Sequence, residues 1–328
     1  MSELPDGLHE FLGQSGWGDA AIDPIPGDAS FRRYFRLKRG DQAAMLMYAP
    51  PPEEDPLPFL KVGSYLADQG MRAPQIYAED TAKGWVLLED FGNDRMRDWL
   101  DDHPDGEVPA YEGAIDALVE LAGKPAGPFS PYDLATYQRE AALLIEWYCP
   151  AVGLSVDAEA YRSAWNAALA PLINRQDPGV SVLRDYHAEN IMLLGDPRQG
   201  AAQGLIDFQD ALVGHPAYDL VSLLQDARRE VSPELEQAML QRYCSATGDG
   251  EEFLADYALL GAQRNAKIVG IFTRLCKRDG KPRYLDYIPR VWEAMERDLA
   301  HPALTPVAKW FDANIPDELR AAHGGTIA

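Results

Sequence analysis

Residues 181–194 read SVLRDYHAENIMLL. Val180, Ser181, Val182 and Leu183 run up to Arg184 and Asp185; a short polar loop follows, then Asn190, then the apolar run Ile191, Met192, Leu193 and Leu194. Short apolar runs bounded by polar residues read as strands. The stretch therefore predicts strand, loop, strand, with a carboxylate and an amide held close at the break. A second run, Gly204-Leu205-Ile206, ends in Asp207-Phe208. Two acids thus stand at the mouths of short strands, with an asparagine between them in sequence. Phosphoryl transfer needs such a set: one carboxylate to take a hydroxyl proton, and an Asn with a second Asp to hold a metal ion.

The chain bounds this reading without opposing it. Its 328 residues make one large domain or two lobes. A content of 46% hydrophobic and 25% charged residues is that of an ordinary globular protein. No apolar run approaches the ~18 residues of a membrane span. The start, MSELPDGLHEF, lacks the basic region and apolar core of a secretory signal. The net charge of −22 argues against nucleic acid and anionic membranes as partners. Such acidity concentrates a cationic substrate or, the commoner case, keeps the surface solvated. Cys149, Cys244 and Cys276 are far apart and odd in number, with no CxxC, which suits free thiols in a reducing compartment. A cytoplasmic monomer is expected.

Along the chain, a short helix is expected around 8–12. Strands follow at 21–25, 31–37 and 43–48, a helix at 59–69, and strands at 75–78 and 85–89. Phe91-Gly92-Asn93-Asp94 breaks that pattern. Beyond it the spacing is helical: one helix marked by Val108, Tyr111, Ile115, Leu118 and Val119, then helices at 134–149 and 158–173. The 180–207 stretch intervenes, and helices return at 218–227, 233–245, 252–278 and 287–298. The tail from Pro306 has room for one more short helix. The reading is α+β: an N-lobe of 1–91, small and sheet-rich, and a helical C-lobe of 92–328, with a nucleotide in the cleft between them.

Asp185 has the place of a general base that orients the acceptor hydroxyl and takes its proton. Asn190 follows five residues on, and Asp207 ends the next strand. Mg²⁺ takes oxygen ligands and keeps several waters, so one Asn, one Asp and phosphate oxygens suffice. A lone Asp in such a place is more often a loop cap; the joint spacing is what points to chemistry. His187 either touches the transferring phosphoryl group or packs in the loop. Asp219, in GHPAYDL, is read as structural, bonding the backbone of the 185 loop or sitting near a helix N-terminus. Residues 27–31, GDASF, are the best phosphate cradle, because a glycine and small residues at a strand turn let N–H groups approach phosphate oxygens.

LRDYHAEN, LIDFQDALVGHPAYDL and the lobe order resemble the aminoglycoside phosphotransferase and choline kinase branch of the protein-kinase-like fold, over nearly the whole chain. GDASFRRYFRL at 27–37 and QRNAKIVGIFTRLCKRDGKPRYLDYIPRVW at 263–292, with EWY at 146–148, look like one subgroup: bacterial anomeric kinases of N-acetylmuramate and N-acetylglucosamine used in cell-wall recycling. The resemblance implies ATP and Mg²⁺, with Asp185 as catalytic aspartate, His187 beside it, and Asn190 and Asp207 as metal ligands. It puts Glu89, Asp90 and Phe91 at the hinge that binds adenine, and Ser30 and Phe31 over the phosphates. The sequence departs from the family twice. Leu183 stands where many relatives carry His. Met45-Leu46-Met47 stands where relatives place the Lys or Arg that contacts the phosphates, and Arg32 and Arg33 on the neighbouring strand are the candidates to replace it.

The acceptor pocket is expected in the helical lobe, from Glu146 and Trp147 on one helix and Asn265, Lys267 and Arg274 on another, with Asp210 close after Asp207. Aromatic faces and paired polar groups suit a pyranose and its acetamido group, and a basic residue suits a lactyl carboxylate. The competing reading is that these side chains simply face solvent on amphipathic helices. Two alternatives stand beside the amino-sugar kinase. One is a kinase of another small alcohol, such as an aminoglycoside or choline. The other is a pseudokinase or nucleotide-binding module, favoured by the missing strand cation and opposed by the retention of Asp185, Asn190 and Asp207.

Overall fold

The structure, a computed structural model, describes residues 4–26 and 31–327. In chain order the elements are α1 (Leu8–Gln14), β1 (Ala21–Ile25), β2 (Arg33–Arg39), β3 (Gln42–Tyr48), α2 (Leu57–Asp68), β4 (Ile76–Asp80), β5 (Trp85–Glu89) and α3 (Met96–Asp102). They continue as α4 (Glu107–Ala122), α5 (Leu134–Ala141), α6 (Ala158–Arg175), β6 (Val180–Val182), β7 (Ile191–Leu193), β8 (Gln203–Leu205) and β9 (Leu212–Gly214). Last come α7 (Ala217–Leu224), α8 (Pro233–Thr247), α9 (Glu251–Asp279), α10 (Ile288–Leu299), α11 (Thr305–Asn314) and α12 (Asp317–Ala321). The order of three strands, a helix and two strands is the one expected. The tail holds two helices where one was expected.

The chain divides into two compact units. One is Met1–Gly106 with Glu189–Asp210, the other Glu107–Ala188 with Ala211–Ala328. The change of pattern near residue 91 marks the end of the strands; the first unit runs on through α3 and takes in the β7–β8 hairpin.

The first unit is built on an antiparallel sheet in the order β1-β2-β3-β5-β4. Side chains alternate across a strand. Phe35 and Leu37, Ala44 and Leu46, and Trp85 and Leu87 share one face and close a core with Leu8, Phe11 and Leu12 of α1. Tyr34 and Arg36, Met45 and Met47, and Val86 and Leu88 therefore take the other. Tyr34 pairs with Met47, and Met47 with Val86. The β2–β3 turn passes through Gly40 at φ 58°, a conformation glycine adopts without steric cost. Past β8, the buried ring of Phe208 stacks on Phe59 of α2 at 5.0 Å, with Gly63 leaving room for it.

The second unit is helical, with α9 as its longest element and a nearly fully buried centre. β7 pairs with β8, the strand expected ahead of Asp207, and β6 pairs with β9. Within the loop between β6 and β7, Arg184 sits at φ 71°. One expectation is corrected here. The helix expected over 134–149 is broken, with α5 ending at Ala141 and residues 144–148 forming a π-helical turn. Pro150 has no N–H for the Glu146 carbonyl and its ring would press on it; the Cys149 N–H bonds instead to the Leu144 carbonyl, five residues back.

Phe208→Ala should lower the stability of the fold by about 3–5 kcal/mol in urea melts, the usual cost of emptying a buried aromatic site.

Candidate active site

In the second unit the site begins with a short loop that would not hold its own shape. Arg184 lies in the left-handed region, which costs a non-glycine residue about 1–2 kcal/mol. Asp219, in the first turn of α7, accepts the N–H groups of Leu183 at 2.6 Å and Arg184 at 2.8 Å. Ser222 donates to the Arg184 carbonyl at 3.3 Å. Beyond the other end of α7, Asp226 accepts from the Ala188 N–H at 3.3 Å. One helix thus braces both ends of the loop. Burial pushes the Asp219 carboxyl up to about 7, against the two backbone bonds, which pull it down.

The Arg184 side chain pairs with Glu140 of α5. Glu140 also takes Lys267 at 3.1 Å and the Tyr132 hydroxyl. Lys267 donates in turn to the Tyr218 hydroxyl at 3.2 Å. Burial raises the Glu140 carboxyl, but Lys267 and Arg184 outweigh it and hold the group ionised.

Asp185 is half-buried inside this frame. Burial alone would push its carboxyl up. The positive field of Lys267, with Arg264 and Arg184, overcomes that and keeps it below the ordinary carboxylate range. A carboxylate so placed is an ionised proton acceptor at neutral pH. His187 is buried, and burial lowers its pKa further than Asp226 and Asp185 raise it, so its imidazole is neutral. Its Nε2 lies 3.4 Å from Arg228.

In the first unit the amide Nδ2 of Asn190 lies 3.4 Å from Asp207 Oδ2, and Gln209 donates to Asp207 Oδ1 at 2.9 Å. Asp207 adopts φ 59°, a region that Asp tolerates better than most residues. An amide and a carboxylate side by side form a hard-oxygen pair, suited to Mg²⁺ with phosphate oxygens completing the shell. The described residues contain no cluster of three His, Cys, Asp or Glu able to hold a metal by themselves, so a cation here needs oxygens from a ligand.

Glu89, Asp90 and Phe91, expected at the adenine, lie inside the first unit and are tied down through their side chains. Glu89 takes a guanidinium nitrogen of Arg72 at 2.8 Å, which holds its carboxyl below the usual range. Its N–H goes to the Gln75 carbonyl at 2.8 Å. Asp90 accepts Arg36 at 2.6 Å and the Gly92 N–H at 3.0 Å. Arg72 lies over the Phe91 ring at 4.6 Å. Phe31 is 67% exposed. Ser30 and the rest of the 27–30 cradle lie outside the described residues.

The expected acceptor residues separate. Lys267 is at Asp185. Asn265 is corrected: it is fully buried, donating to Gln225 at 2.7 Å and Asp298 at 3.4 Å, and it ties helices together away from solvent. Glu146 is exposed and Trp147 half-buried on the π turn; Arg274 is half-buried on α9, and Asp210 is exposed in the first unit. Glu140, Arg264 and Asp226 were missed. The signal for Glu140 was its spacing with Tyr137 and Ala141, which puts an acid on the buried stripe of a helix. Asp219 and Asp226, seven residues apart across one predicted helix, carried a similar signal.

Asp219→Ala would leave two interior N–H groups without an acceptor, at about 1–3 kcal/mol each. Thermal and urea melts should show a loss of about 2–5 kcal/mol, roughly halved in Asp219→Asn, which keeps one oxygen.

With the geometry established, comparison with known proteins is informative. Residues 21–257 match the APH phosphotransferase enzyme family. An N-acetylmuramate/N-acetylglucosamine kinase of Caulobacter vibrioides is 39% identical, across 94% of this chain and 96% of its own length. A kinase of the same name from Pseudomonas aeruginosa is 40% identical, across 89% of both. Among solved structures, the streptomycin-ATP-APH(2″)-IIa ternary complex superposes with a TM-score of 0.60 at 14% identity, covering 92% of this chain and 98% of that one. That match shows the two-part kinase-like fold, and the sequence matches show descent: the chain belongs to the phosphotransferase enzyme family.

Proposed function

We propose that this chain is an ATP-dependent amino-sugar kinase that phosphorylates the anomeric C1 hydroxyl of N-acetylmuramate and N-acetylglucosamine in peptidoglycan recycling. Phosphoryl transfer is carried by one observation: the Asp185 carboxyl, on a loop braced from both ends, is held ionised by Lys267, Arg264 and Arg184. The acceptor class is supported by the names of relatives at 39% and 40% identity. The C1 position is supported by the likeness of 27–37 and 263–292 to anomeric kinases.

In this reading Asp185 orients the acceptor hydroxyl and takes its proton as the sugar oxygen bonds to the γ-phosphorus. The bond from that phosphorus to the β–γ bridging oxygen breaks, and ADP leaves with the electron pair. Magnesium, when bound, neutralises charge on the phosphate oxygens; Asn190 and Asp207 are the residues that hold it. Lys267 keeps Asp185 ionised. His187, neutral, orients within the loop without giving up a proton. Glu146, Trp147 and Arg274 are left to shape the sugar pocket. Glu89, Asp90 and Phe91 present the adenine edge through their backbone. The setting of this reading is a cytoplasmic monomer, whose free thiols suit a reducing compartment.

Mass spectrometry after incubation with ATP, Mg²⁺ and each of N-acetylmuramate, N-acetylglucosamine, an aminoglycoside and choline tests the acceptor, with NMR locating the phosphate. A sugar 1-phosphate is expected; phosphate only on an aminoglycoside or choline would sink the proposal. Asp185→Asn should lose about 10²–10⁴-fold in kcat with nucleotide affinity kept. The depressed pKa also fixes a sign: the acid limb of kcat/KM assigned to Asp185 lies below the ordinary Asp value of about 3.9. Acidification towards pH 5 should therefore leave the base in its accepting form.

A further inference from the structure

Strand β3 carries no cation, and the structure shows why none fits there now. Met47 is fully buried, flanked by Tyr34 on β2 and Val86 on β5. A nucleotide's phosphates still need positive charge, because their own charge grows no easier to bear during transfer. Three arginines of 32–36 could supply it. Arg33 has the parity of Phe35 and Leu37, which face the α1 core, and its guanidinium lies 5.3 Å from the Phe35 ring. It is on the wrong side of the sheet. Arg36 is committed to the hinge, bonding Asp90 at 2.6 Å and the Gly92 carbonyl at 2.7 Å.

Arg32 differs from both. Its Nε donates to Glu54, just ahead of α2, at 3.2 Å, and both side chains are largely buried. Its guanidinium also bonds the hydroxyl of Tyr34, the register partner of Met47. Arg32 has the parity of Tyr34, so it enters the sheet on the face of Met47, where the missing cation would stand. A guanidinium has five donors in a planar fork, so it can hold a carboxylate and a phosphate at once.

We propose that Arg32 supplies the charge that meets the nucleotide phosphates, with Glu54 as the carboxylate that positions it: the ion pair of this site is moved from the middle of β3 to the entrance of β2. The inference rests on the reading of the first unit as a nucleotide site, and it makes no use of the sugar.

Calorimetric titration of ATP, ADP and adenosine, with and without Mg²⁺ and without sugar, tests it beside a thermal melt of each variant. Arg32→Ala should weaken ATP on the order of 10- to 100-fold, as for loss of a charged hydrogen-bonding partner, with less effect on ADP and none on adenosine. Arg32→Lys should restore part of the ATP affinity. Glu54→Gln should weaken ATP by a smaller factor, and Lys38→Ala on the same strand should leave it alone. Arg32→Met, similar in reach and uncharged, replaces the alanine variant if that melts low. Unchanged ATP affinity in a folded Arg32 variant, equal losses for ATP and adenosine, or a loss confined to Arg33→Ala would each overturn the proposal. Because no sugar is present, a failed acceptor assignment would leave this result standing, and failure here would leave the acceptor assignment standing.

Discussion

The Asp219 carboxyl accepts two consecutive backbone N–H groups, those of Leu183 and Arg184, and the loop that carries Asp185 depends on that pair of bonds. Without them Arg184 has little reason to stay in the left-handed region. With them, the chain turns sharply enough for Asp185 to enter a field of positive charge. The interaction is local in space and remote in sequence, 36 residues for the Leu183 bond. It ties the loop to a helix whose side chains are wholly interior. The loop thereby acquires the rigidity of the core, which a surface loop of this composition would lack.

The charges around the base form an alternating set. Arg184 and Lys267 bracket Glu140, and Lys267 also acts on Asp185. Buried like charges are costly unless interleaved with opposite ones. Glu140 lets two cations stand near Asp185 without repelling each other out of the interior. Its role is to hold the cations that hold the base.

Much of this was legible in the sequence because it is periodic or local. The strand order of the first unit followed from alternation, and α9 from helical spacing over 252–278. Asp185, Asn190 and Asp207 stood out because each lies at the end of a short apolar run. What stayed hidden was pairing at a distance. Nothing in 180–194 says that its first strand seeks a partner at 212–214. Nothing in the segment around Asn265 says that the amide is turned inward to Gln225. The polar run Gln263-Arg264-Asn265 is buried throughout, which polarity along the chain would not suggest and only the packing around α9 decides. Pro150 accounts only for the end of the stretch expected as one helix, since its effect reaches one turn back, to Glu146.

The π turn at 144–148 has a further meaning. It accommodates one more residue per turn than an α-helix, so it is an insertion that the helix absorbed instead of bulging into a loop. Ahead of it, Tyr137 and Glu140 face the interior, and Glu140 pairs with Arg184 of the 183–190 loop. Within it, Glu146 and Trp147 point outward on a turn that α9 approaches closely, since a Cβ at Gly270 would strike the backbone of Leu143. The extra residue uncouples the two halves: about 100° of rotation separates the faces that an unbroken helix would have aligned. Side chains on the outward half are thereby free of the packing that fixes the inward half, a division of labour within a single stretch of chain.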